Sequence, residues 1–213
     1  MNRSSQPIAL IDTGFCNLSS VKNALTYLNC TYEVVNLFSP SSEITYSGFV
    51  LPGVGAFKPA ITRIKERNLD RLIFKLVDRG LPGLGICLGM QLMANWSEEG
   101  DGKTQGLGLF DCGVEALNPA LSLVPHIGWT QTYSSSSKKD CPFNFESNFY
   151  YVHSFVARTR NHSQVAAYFR HGKSEEISAL LRDNILAVQF HPEKSQTAGL
   201  SLINTFLKYL PTK

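Results

Sequence analysis

The first half of the 213-residue chain alternates between short apolar runs and segments with helical periodicity. This alternation, which continues to residue 97, predicts βαβ units whose strands pair in parallel and form a central sheet. The apolar runs predict strands at 7–11, 32–37, 48–51 and 82–86. The helical spacing predicts helices at 18–28 (capped by Ser19 or Ser20), in two stretches within 61–79, and at 88–96.

After residue 100, glycine, proline and serine become frequent and the apolar runs become shorter, which predicts mostly antiparallel strands. These strands are predicted at 113–117, 150–155, 165–169, 177–181 and 185–190. Residues 134–140 indicate a mobile hairpin tip or loop, and 195–210 a closing amphipathic helix. Since no repeat or linker interrupts the chain, we expect one domain over residues 1–213. Its fold class is α/β, with a mostly parallel central sheet flanked by helices and additional antiparallel strands in the second half.

The composition argues against several classes of protein. With 20 Lys and Arg against 17 Asp and Glu, the net charge of +3 is too small to predict binding to nucleic acid or to an anionic membrane. The five cysteines are odd in number and include no C-x-x-C pair, so we expect no disulfide framework and no zinc site. We also expect no other metal and no cofactor. The chain also lacks a secretory signal and an apolar run of the roughly 18 residues that a membrane span needs. We therefore expect a soluble cytoplasmic protein, or one held through a partner.

Residues 84–91 read LGICLGMQ, so that Cys87 lies between Gly85 and Gly89. A strand, a G-x-nucleophile-x-G turn and a helix form the pattern of a nucleophile elbow, whose glycines let neighbouring backbone pass close by. The helix that follows directs its N-terminal amides toward the sulfur, which favours the reactive thiolate. A lone cysteine more often packs as a small hydrophobe, but this frame favours a nucleophile.

A nucleophilic cysteine needs a base that a third group orients. Of the five histidines, His162 and His171 lie in polar stretches that we expect at the surface. His191 follows the apolar run ILAVQF, and Glu193 would point the same way in an extended chain. His153, in YYVHSF, is an equally good base by these arguments. Residue chemistry alone therefore leaves the two histidines open.

The segment Gly85-Ile-Cys87-Leu-Gly-Met-Gln91, together with His191-Pro-Glu193 near the C-terminus, resembles the class I (triad) glutamine amidotransferases. In that family the cysteine attacks the side-chain amide of glutamine, the histidine moves protons and the glutamate orients the histidine. The resemblance therefore implies that Cys87, His191 and Glu193 form the catalytic triad.

Further motifs are similar to the glutaminase subunits of imidazole glycerol phosphate synthase within that family. They are LPGVGAF at 51–57, VPHIGW at 124–129, YVHSF at 151–155, HPEKS at 191–195 and, less closely, DTGFCNL at 12–18. Cys16 stands where this family usually has glycine, and Phe155 where many members have tyrosine. The resemblance spans residues 8–208 and implies a glutaminase that supplies ammonia for histidine biosynthesis.

The tetrahedral oxyanion of this reaction needs preorganised N–H donors. We expect one from the backbone of Leu88 and the other from residues 52–55, at Gly53 or Val54. The glycines let a peptide flip at little cost, and the resemblance implies that this loop rearranges when the partner is active. The alternative is a plain strand-to-helix turn.

The resemblance also implies which residues bind glutamine. Gln91 lies one helical turn beyond Cys87 and near the same face of the helix. Ser154 and Phe155 would direct backbone groups to the α-amino and α-carboxyl groups of the substrate. The alternative for Gln91 is a helix residue that faces solvent.

Released ammonia would be protonated in water and lost as a nucleophile, so such a glutaminase needs a sealed route to a second site. The chain has no room for a synthase domain, and the resemblance implies that the partner is a separate (βα)₈-barrel cyclase in a heterodimer. The implied docking residues are Asn17, His126, Trp129 and Lys194. Trp129 could instead pack in the core, and Lys194 could be a solvated charge.

Three other functions remain open from the sequence. Thr13 and Cys16 are unusual for the family, which leaves room for a paralogue whose cyclase-like partner amidinates a surface sugar. A non-catalytic binding subunit would not need the intact triad. A free-standing γ-glutamyl hydrolase would be active without a partner.

Overall fold

The computed structural model of the chain describes residues 6–138 and 140–211. In this part of the chain the backbone forms five α-helices and thirteen strands. The helices are α1 (Leu18–Tyr27), α2 (Phe57–Glu66), α3 (Leu69–Asp78), α4 (Leu88–Leu92) and α5 (Gln196–Leu207). The strands of the first half are β1 (Ile8–Ile11), β2 (Tyr32–Val35), β3 (Phe49–Gly53), β4 (Gly83–Cys87), β5 (Trp96–Ser97) and β6 (Thr104–Gln105). Those of the second half are β7 (Gly113–Ala116), β8 (His126–Ser134), β9 (Ser147–His153), β10 (Phe155–Arg158), β11 (Val165–His171), β12 (Ser174–Arg182) and β13 (Ile185–Val188).

Nine strands form one mixed sheet in the order β2-β1-β3-β4-β13-β12-β11-β8-β9. Every pairing from β2 to β13 is parallel, and every pairing from β13 to β9 is antiparallel. The predicted α/β class, with a parallel sheet continued by antiparallel strands of the second half, is confirmed. The remaining strands form a smaller sheet in the order β10-β7-β5-β6.

Strand β1 illustrates how the parallel half is buried on both faces. Ile8 and Leu10 pack into the apolar cluster formed with α1 and α5, whereas Ala9 and Ile11 pack into the cluster formed with α2 and α3. Successive side chains of a strand point to opposite faces, so helices on both faces require a continuous apolar run. This is why the parallel strands were readable as short apolar runs.

Several predicted boundaries are wrong. The predicted helix at 88–96 ends at Leu92, because the chain then pairs with a distant segment: Asn95 donates its backbone N–H to the Cys112 carbonyl at 2.9 Å. Helix α2 begins at Phe57, ahead of the predicted residue 61. The predicted cap is also wrong, since α1 begins at Leu18 and already contains Ser19 and Ser20.

The longest element that the sequence analysis did not predict is strand β8, in the second half of the chain. Strand β8 was not predicted, because it alternates irregularly between buried and exposed residues and carries polar side chains. It nevertheless pairs with both β9 and β11. The predicted strand at 150–155 is in fact two strands, which belong to different sheets and meet at Ser154. Part of the predicted loop at 134–140 forms a short 3₁₀ turn at Ser136–Lys138, and its mobility stays a prediction.

Candidate active site

Cys87 lies at the carboxyl end of β4, where the chain turns directly into α4. Its φ of +52° is in the left-handed region, which costs an L-residue energy and exposes the side chain on a sharp turn. A Cβ on Gly89 would overlap the Leu51 carbonyl oxygen, and one on Gly85 would lie 2.8 Å from the Met93 sulfur. The flanking glycines are therefore required by the close approach of β3 and α4.

His191 and Glu193 follow β13, the strand beside β4. Nδ1 of His191 donates to Oε1 of Glu193 at 2.8 Å, and each side chain is only 2% exposed. Nε2 of His191 and Oε2 of Glu193 are buried and make no hydrogen bond of ordinary length within the described residues. The carboxylate thus holds the imidazole in the tautomer or charge state that carries a proton on Nδ1.

The charge state of His191 follows from these neighbours. Burial by itself lowers the pKa of His191, but interactions with the Cys87 sulfur and with Glu193 outweigh burial and raise the pKa well above its ordinary value. His191 is therefore close enough to Cys87 to respond to its charge, although no hydrogen bond of ordinary length joins the two side chains.

His153, the rival base, is buried and lines the pocket, and none of its hydrogen bonds within the described residues goes to a carboxylate. Its Nδ1 lies 2.9 Å from the Phe155 carbonyl and its Nε2 lies 3.0 Å from Nδ1 of His126. Burial, followed by the neighbouring His126, lowers the pKa of His153 to about 3. Because both ring nitrogens are already engaged and the ring is neutral, the geometry favours His191 as the base.

A pocket of about 450 Å³ opens above Cys87. Its walls include Gln91, Ser154 and Phe155, which the sequence analysis assigned to substrate binding, and also Leu88 and Val54. Gln91 is only 5% exposed, so the alternative of a solvent-facing helix residue is wrong. Its Nε2 donates to the Phe155 carbonyl at 3.1 Å, which ties α4 to the start of β10.

The expected oxyanion site is incomplete in this conformation. The backbone N–H of Val54 donates to the Phe15 carbonyl at 2.8 Å, so it is not directed at the pocket. Gly53 pairs with Cys87 in the parallel register of β3 and β4, and Gly55 adopts a φ of +93°. The prediction that Val54 offers the second donor is therefore not met here, because the turn at residues 12–15 holds that amide.

Two polar residues of the site were missed by the sequence analysis. Glu99 lines the pocket, and its Oε2 accepts the backbone N–H of Phe57 at the start of α2 at 2.8 Å. Gln189 is fully buried, and its Nε2 lies 3.8 Å from the Cys87 sulfur. Glu99 lies in a loop without any pattern, whereas Gln189 stood next to the HPE motif and was taken as part of an apolar run.

The predicted docking residues divide into three at the surface and one in the interior. Asn17 and Lys194 are exposed, and Trp129 is 49% exposed, so its alternative placement in the core is wrong. His126 is only 3% exposed and stacks on Phe169, which contradicts its prediction as a contact residue. The strand alternation explains this difference, because neighbouring residues of β8 face opposite sides.

The Glutamine amidotransferase class-I family model matches residues 9–209. The chain belongs to the class-I glutamine amidotransferases. This membership makes it a glutamine amidotransferase enzyme.

Curated relatives match the amidotransferase over nearly its whole length. The imidazole glycerol phosphate synthase subunit HisH 2 of Nitrobacter winogradskyi is 39% identical, and the match covers 96% of this chain and 99% of the relative. Subunit HisH of Thermosynechococcus vestitus is 38% identical over 96% of this chain and 97% of its own, and that of Moorella thermoacetica is 39% identical over 94% of each. The amidotransferase is therefore a member of the HisH family.

Solved structures agree with the fold of the amidotransferase. The structure of PurLQS from Thermotoga maritima aligns with a TM-score of 0.73 at 19% identity and covers 96% of this chain and 99% of that one. The crystal structure of another glutamine amidotransferase aligns with a TM-score of 0.70 at 20% identity, over 95% of this chain and 98% of that one.

Two kinds of feature are absent from the described part of the chain. In residues 6–138 and 140–211, no group of three or more His, Cys, Asp or Glu side chains is arranged to hold a metal ion. Among the helices of the same residues, none is both long enough and apolar enough to cross a membrane.

Proposed function

We propose that this amidotransferase is the glutaminase subunit of imidazole glycerol phosphate synthase and supplies ammonia for histidine biosynthesis. In this proposal Cys87 is the nucleophile, His191 transfers protons and Glu193 orients His191. The observation that carries the proposal is a cysteine on a strained turn beside a buried His–Glu pair, at the base of a pocket of about 450 Å³. The names of the relatives favour this pathway over the paralogue that amidinates a surface sugar.

The first half of the reaction forms a thioester. The thiolate of Cys87 attacks the γ-carboxamide carbon of glutamine, and the C–N bond breaks as His191 gives its proton to the leaving ammonia. The raised pKa of His191 keeps the ring protonated near neutral pH, as an acid in this step requires.

The second half regenerates the enzyme. Water attacks the γ-glutamyl thioester while neutral His191 takes one of its protons, and the C–S bond breaks to give glutamate and the thiolate of Cys87. Glu193 stabilises the imidazolium that forms, and its buried side chain keeps the ring from rotating. The sum is glutamine and water converted to glutamate and ammonia.

The oxyanion of both tetrahedral intermediates would be held by the backbone N–H of Leu88 and by an amide of the 52–55 loop. The bond from Val54 to the Phe15 carbonyl means that the loop must change before Val54 can donate. A donor of this kind contributes roughly a hundredfold or more to turnover. We therefore propose that the resting chain is weakly active and that partner binding releases Val54 from Phe15.

The pocket walls offer complementary groups for a free amino acid. Gln91, Ser154 and Phe155 are proposed to hold the substrate, with Phe155 acting through its backbone because its ring has no hydroxyl group. The Glu99 carboxylate adds a negative charge for the substrate's α-ammonium group.

The proposed partner is a (βα)₈-barrel cyclase subunit. Trp129 and Tyr150 lie edge to face with ring centroids 6.1 Å apart, and the Lys194 ammonium lies 5.7 Å from the Tyr150 ring. Ile127, which is 60% exposed, continues this surface to the mouth of the pocket. Asn17 is proposed to contact the partner from the start of α1. Exposed aromatic and aliphatic groups beside the site suit a seal that keeps ammonia from water.

The test is glutamate release from glutamine by the purified chain, alone and with the cyclase subunit of the same organism plus that subunit's nucleotide ligand. We expect weak activity alone, a strong rise in the complex, and none with Cys87→Ala. Full activity alone would favour a free-standing hydrolase. No activity in the complex would contradict the proposal.

A further inference from the structure

Gln189 is an uncharged polar side chain in the interior, at a position where the sheet would ordinarily hold an apolar residue. It is 0% exposed and follows directly on β13. A buried amide costs free energy unless its oxygen and its nitrogen both find partners. Both ends of this amide do find partners, and both partners belong to the proposed site: Gln91 and Cys87.

The orientation of the Gln189 amide follows by elimination. The backbone carbonyl of Phe155 can only accept, so the end of Gln91 that lies 3.1 Å from it is the Nε2 donor. The same Nε2 lies 3.2 Å from Gln189, which must therefore present its Oε1 acceptor there. The other end of Gln189, 3.8 Å from the sulfur of Cys87, is then its N–H donor.

The sulfur of Cys87 thus has two polar contacts of opposite character. Its thiol can donate to the Val152 carbonyl, 3.9 Å away. Its thiolate can accept from Nε2 of Gln189, 3.8 Å away. A carbonyl disfavours the anionic sulfur, whereas an amide N–H favours it. Of these two contacts, the one from Gln189 favours the reactive form.

We propose that Gln189 is a positioning residue that holds the Cys87 thiolate with its nitrogen and Gln91 with its oxygen. This inference rests on the proposed function, in which Cys87 attacks glutamine and Gln91 binds it. One rigid amide then sets the spacing between the nucleophile and a substrate-binding side chain. Removal of Gln189 should affect both thiolate reactivity and glutamine binding, whereas removal of Gln91 should affect only binding.

The experiment measures alkylation of Cys87 by iodoacetamide from pH 5 to pH 9 in the full chain, with the Cys87 peptide quantified by mass spectrometry. Burial raises the pKa of Cys16 and Cys112 to about 12, so these thiols react slowly in that range. The variant Gln189→Met keeps the length of the side chain and removes both polar ends. We expect its alkylation rate at pH 7 to fall by about ten- to a hundredfold, the loss of one hydrogen bond to a charged group.

Steady-state kinetics in the complex with the cyclase subunit supply the second measurement. Gln189→Met should lower kcat and raise KM for glutamine. Gln91→Met should raise KM but leave the alkylation profile of Cys87 within about twofold of wild type. Gln189→Asn keeps the amide but cannot span both partners, and we expect an intermediate alkylation rate. Circular dichroism establishes that each variant is folded, and Gln105→Met, at an exposed position on the edge strand β6, is the matched control.

The outcomes separate the inference from the proposed function. If either folded Gln189 variant alkylates at the wild-type rate across the pH range, Gln189 does not position the thiolate and the inference is wrong. If Cys87→Ala keeps glutaminase activity, the proposed function itself fails. If Cys87→Ala is inactive while the Gln189 variants match wild type, only the inference fails.

Discussion

His191 and His153 are both buried beside the same pocket, yet their neighbours give them opposite protonation behaviour. His191 has the Cys87 sulfur and Glu193 as neighbours, and together they raise its pKa. His153 has His126 as its partner, and its pKa is lowered to about 3. Burial disfavours the charged ring at both positions, so the partner decides the outcome. The neighbours of its ring nitrogens therefore decide whether a buried histidine is charged or neutral.

The hydrogen bonds around His153 also explain why it can stay neutral. Nδ1 of His153 must donate to the Phe155 carbonyl, so Nε2 accepts from Nδ1 of His126. Nε2 of His126 then accepts from the Thr130 hydroxyl, 2.8 Å away. Each ring nitrogen in this series of hydrogen bonds has a partner while both rings are neutral. This suits a structural role for the two histidines in joining β8 to β9.

The largest expected difference between the two histidines is in kcat when each is replaced by glutamine, whose amide can still donate and accept hydrogen bonds. His191→Gln should lower kcat for glutamate release by about a thousandfold, because no group remains to move the proton. His153→Gln should lower kcat by less than about tenfold, since glutamine can bridge Phe155 and His126. Single-turnover glutamate release in the cyclase complex measures both. A His153 variant as inactive as the His191 variant would reverse the assignment.

The second test removes the charge of Glu193 and keeps its shape. Glu193→Gln should lower kcat by about ten- to a hundredfold, because the imidazolium of His191 loses its counter-charge. The raised pKa of His191 keeps the acid form in place until pH rises through that pKa. Without Glu193 the pKa falls, so the alkaline limb of the kcat profile should move to lower pH. An unmoved alkaline limb would assign it to another group.

The third test uses stability, where the two sites should respond to pH in opposite directions. The pKa of His126 is lowered to about 4 by burial and then by His171, and that of His153 to about 3. The two neutral rings therefore contribute to the free energy of unfolding above pH 6.5, the ordinary pKa of histidine. This contribution is lost as pH falls from 6.5 toward their lowered pKa values. His191, with a raised pKa, contributes below its ordinary value and loses this contribution as pH rises through the raised pKa.

The free energy of unfolding in urea should thus fall by about 2 kcal/mol or more between pH 7 and pH 5. His126→Gln should reduce this slope, because one of the two neutral rings is gone. The matched surface variant His162→Gln, whose ring lies in an exposed stretch, should keep the wild-type slope. Equal slopes for all three chains would mean that the buried pair is not responsible.

The smallest expected effect comes from the far end of the hydrogen-bond chain. Thr130→Val keeps the shape of the side chain but removes the hydroxyl that donates to His126. The unsatisfied ring nitrogen should cost about 1 kcal/mol of stability at pH 7, measured by urea unfolding. The value of kcat should not change, because His191 is untouched. A fall in kcat as large as that of Glu193→Gln would link the neutral chain to catalysis.

Much of the fold was predictable because its signals are local. The apolar runs of β1, β3 and β4 reflect burial on both faces, which any such strand needs whatever its neighbours are. Strand β8 was missed, since one of its faces is exposed and its pattern resembles a loop. The end of α4 was missed too, because pairing of residues beyond Leu92 with a distant segment outweighs helix propensity.

The candidate site divides in the same way. The elbow at Cys87 was readable from its own neighbours, because a positive φ and close backbone approach select glycines at fixed offsets. The chain of contacts from Cys87 through Gln189 to Gln91 was not readable, because it joins segments about a hundred residues apart in the sequence.

The sequence by itself determined the α/β fold, the nucleophile turn and the motif that carries His191 and Glu193. Only the tertiary structure showed the opposite surroundings of His191 and His153, placed His126 in the interior and engaged the Val54 amide with Phe15. The physical reason is the distance along the sequence between the residues that interact. Periodicity and turn chemistry act over a few residues, whereas the partner of a buried polar group is chosen by strands and loops that meet only after folding.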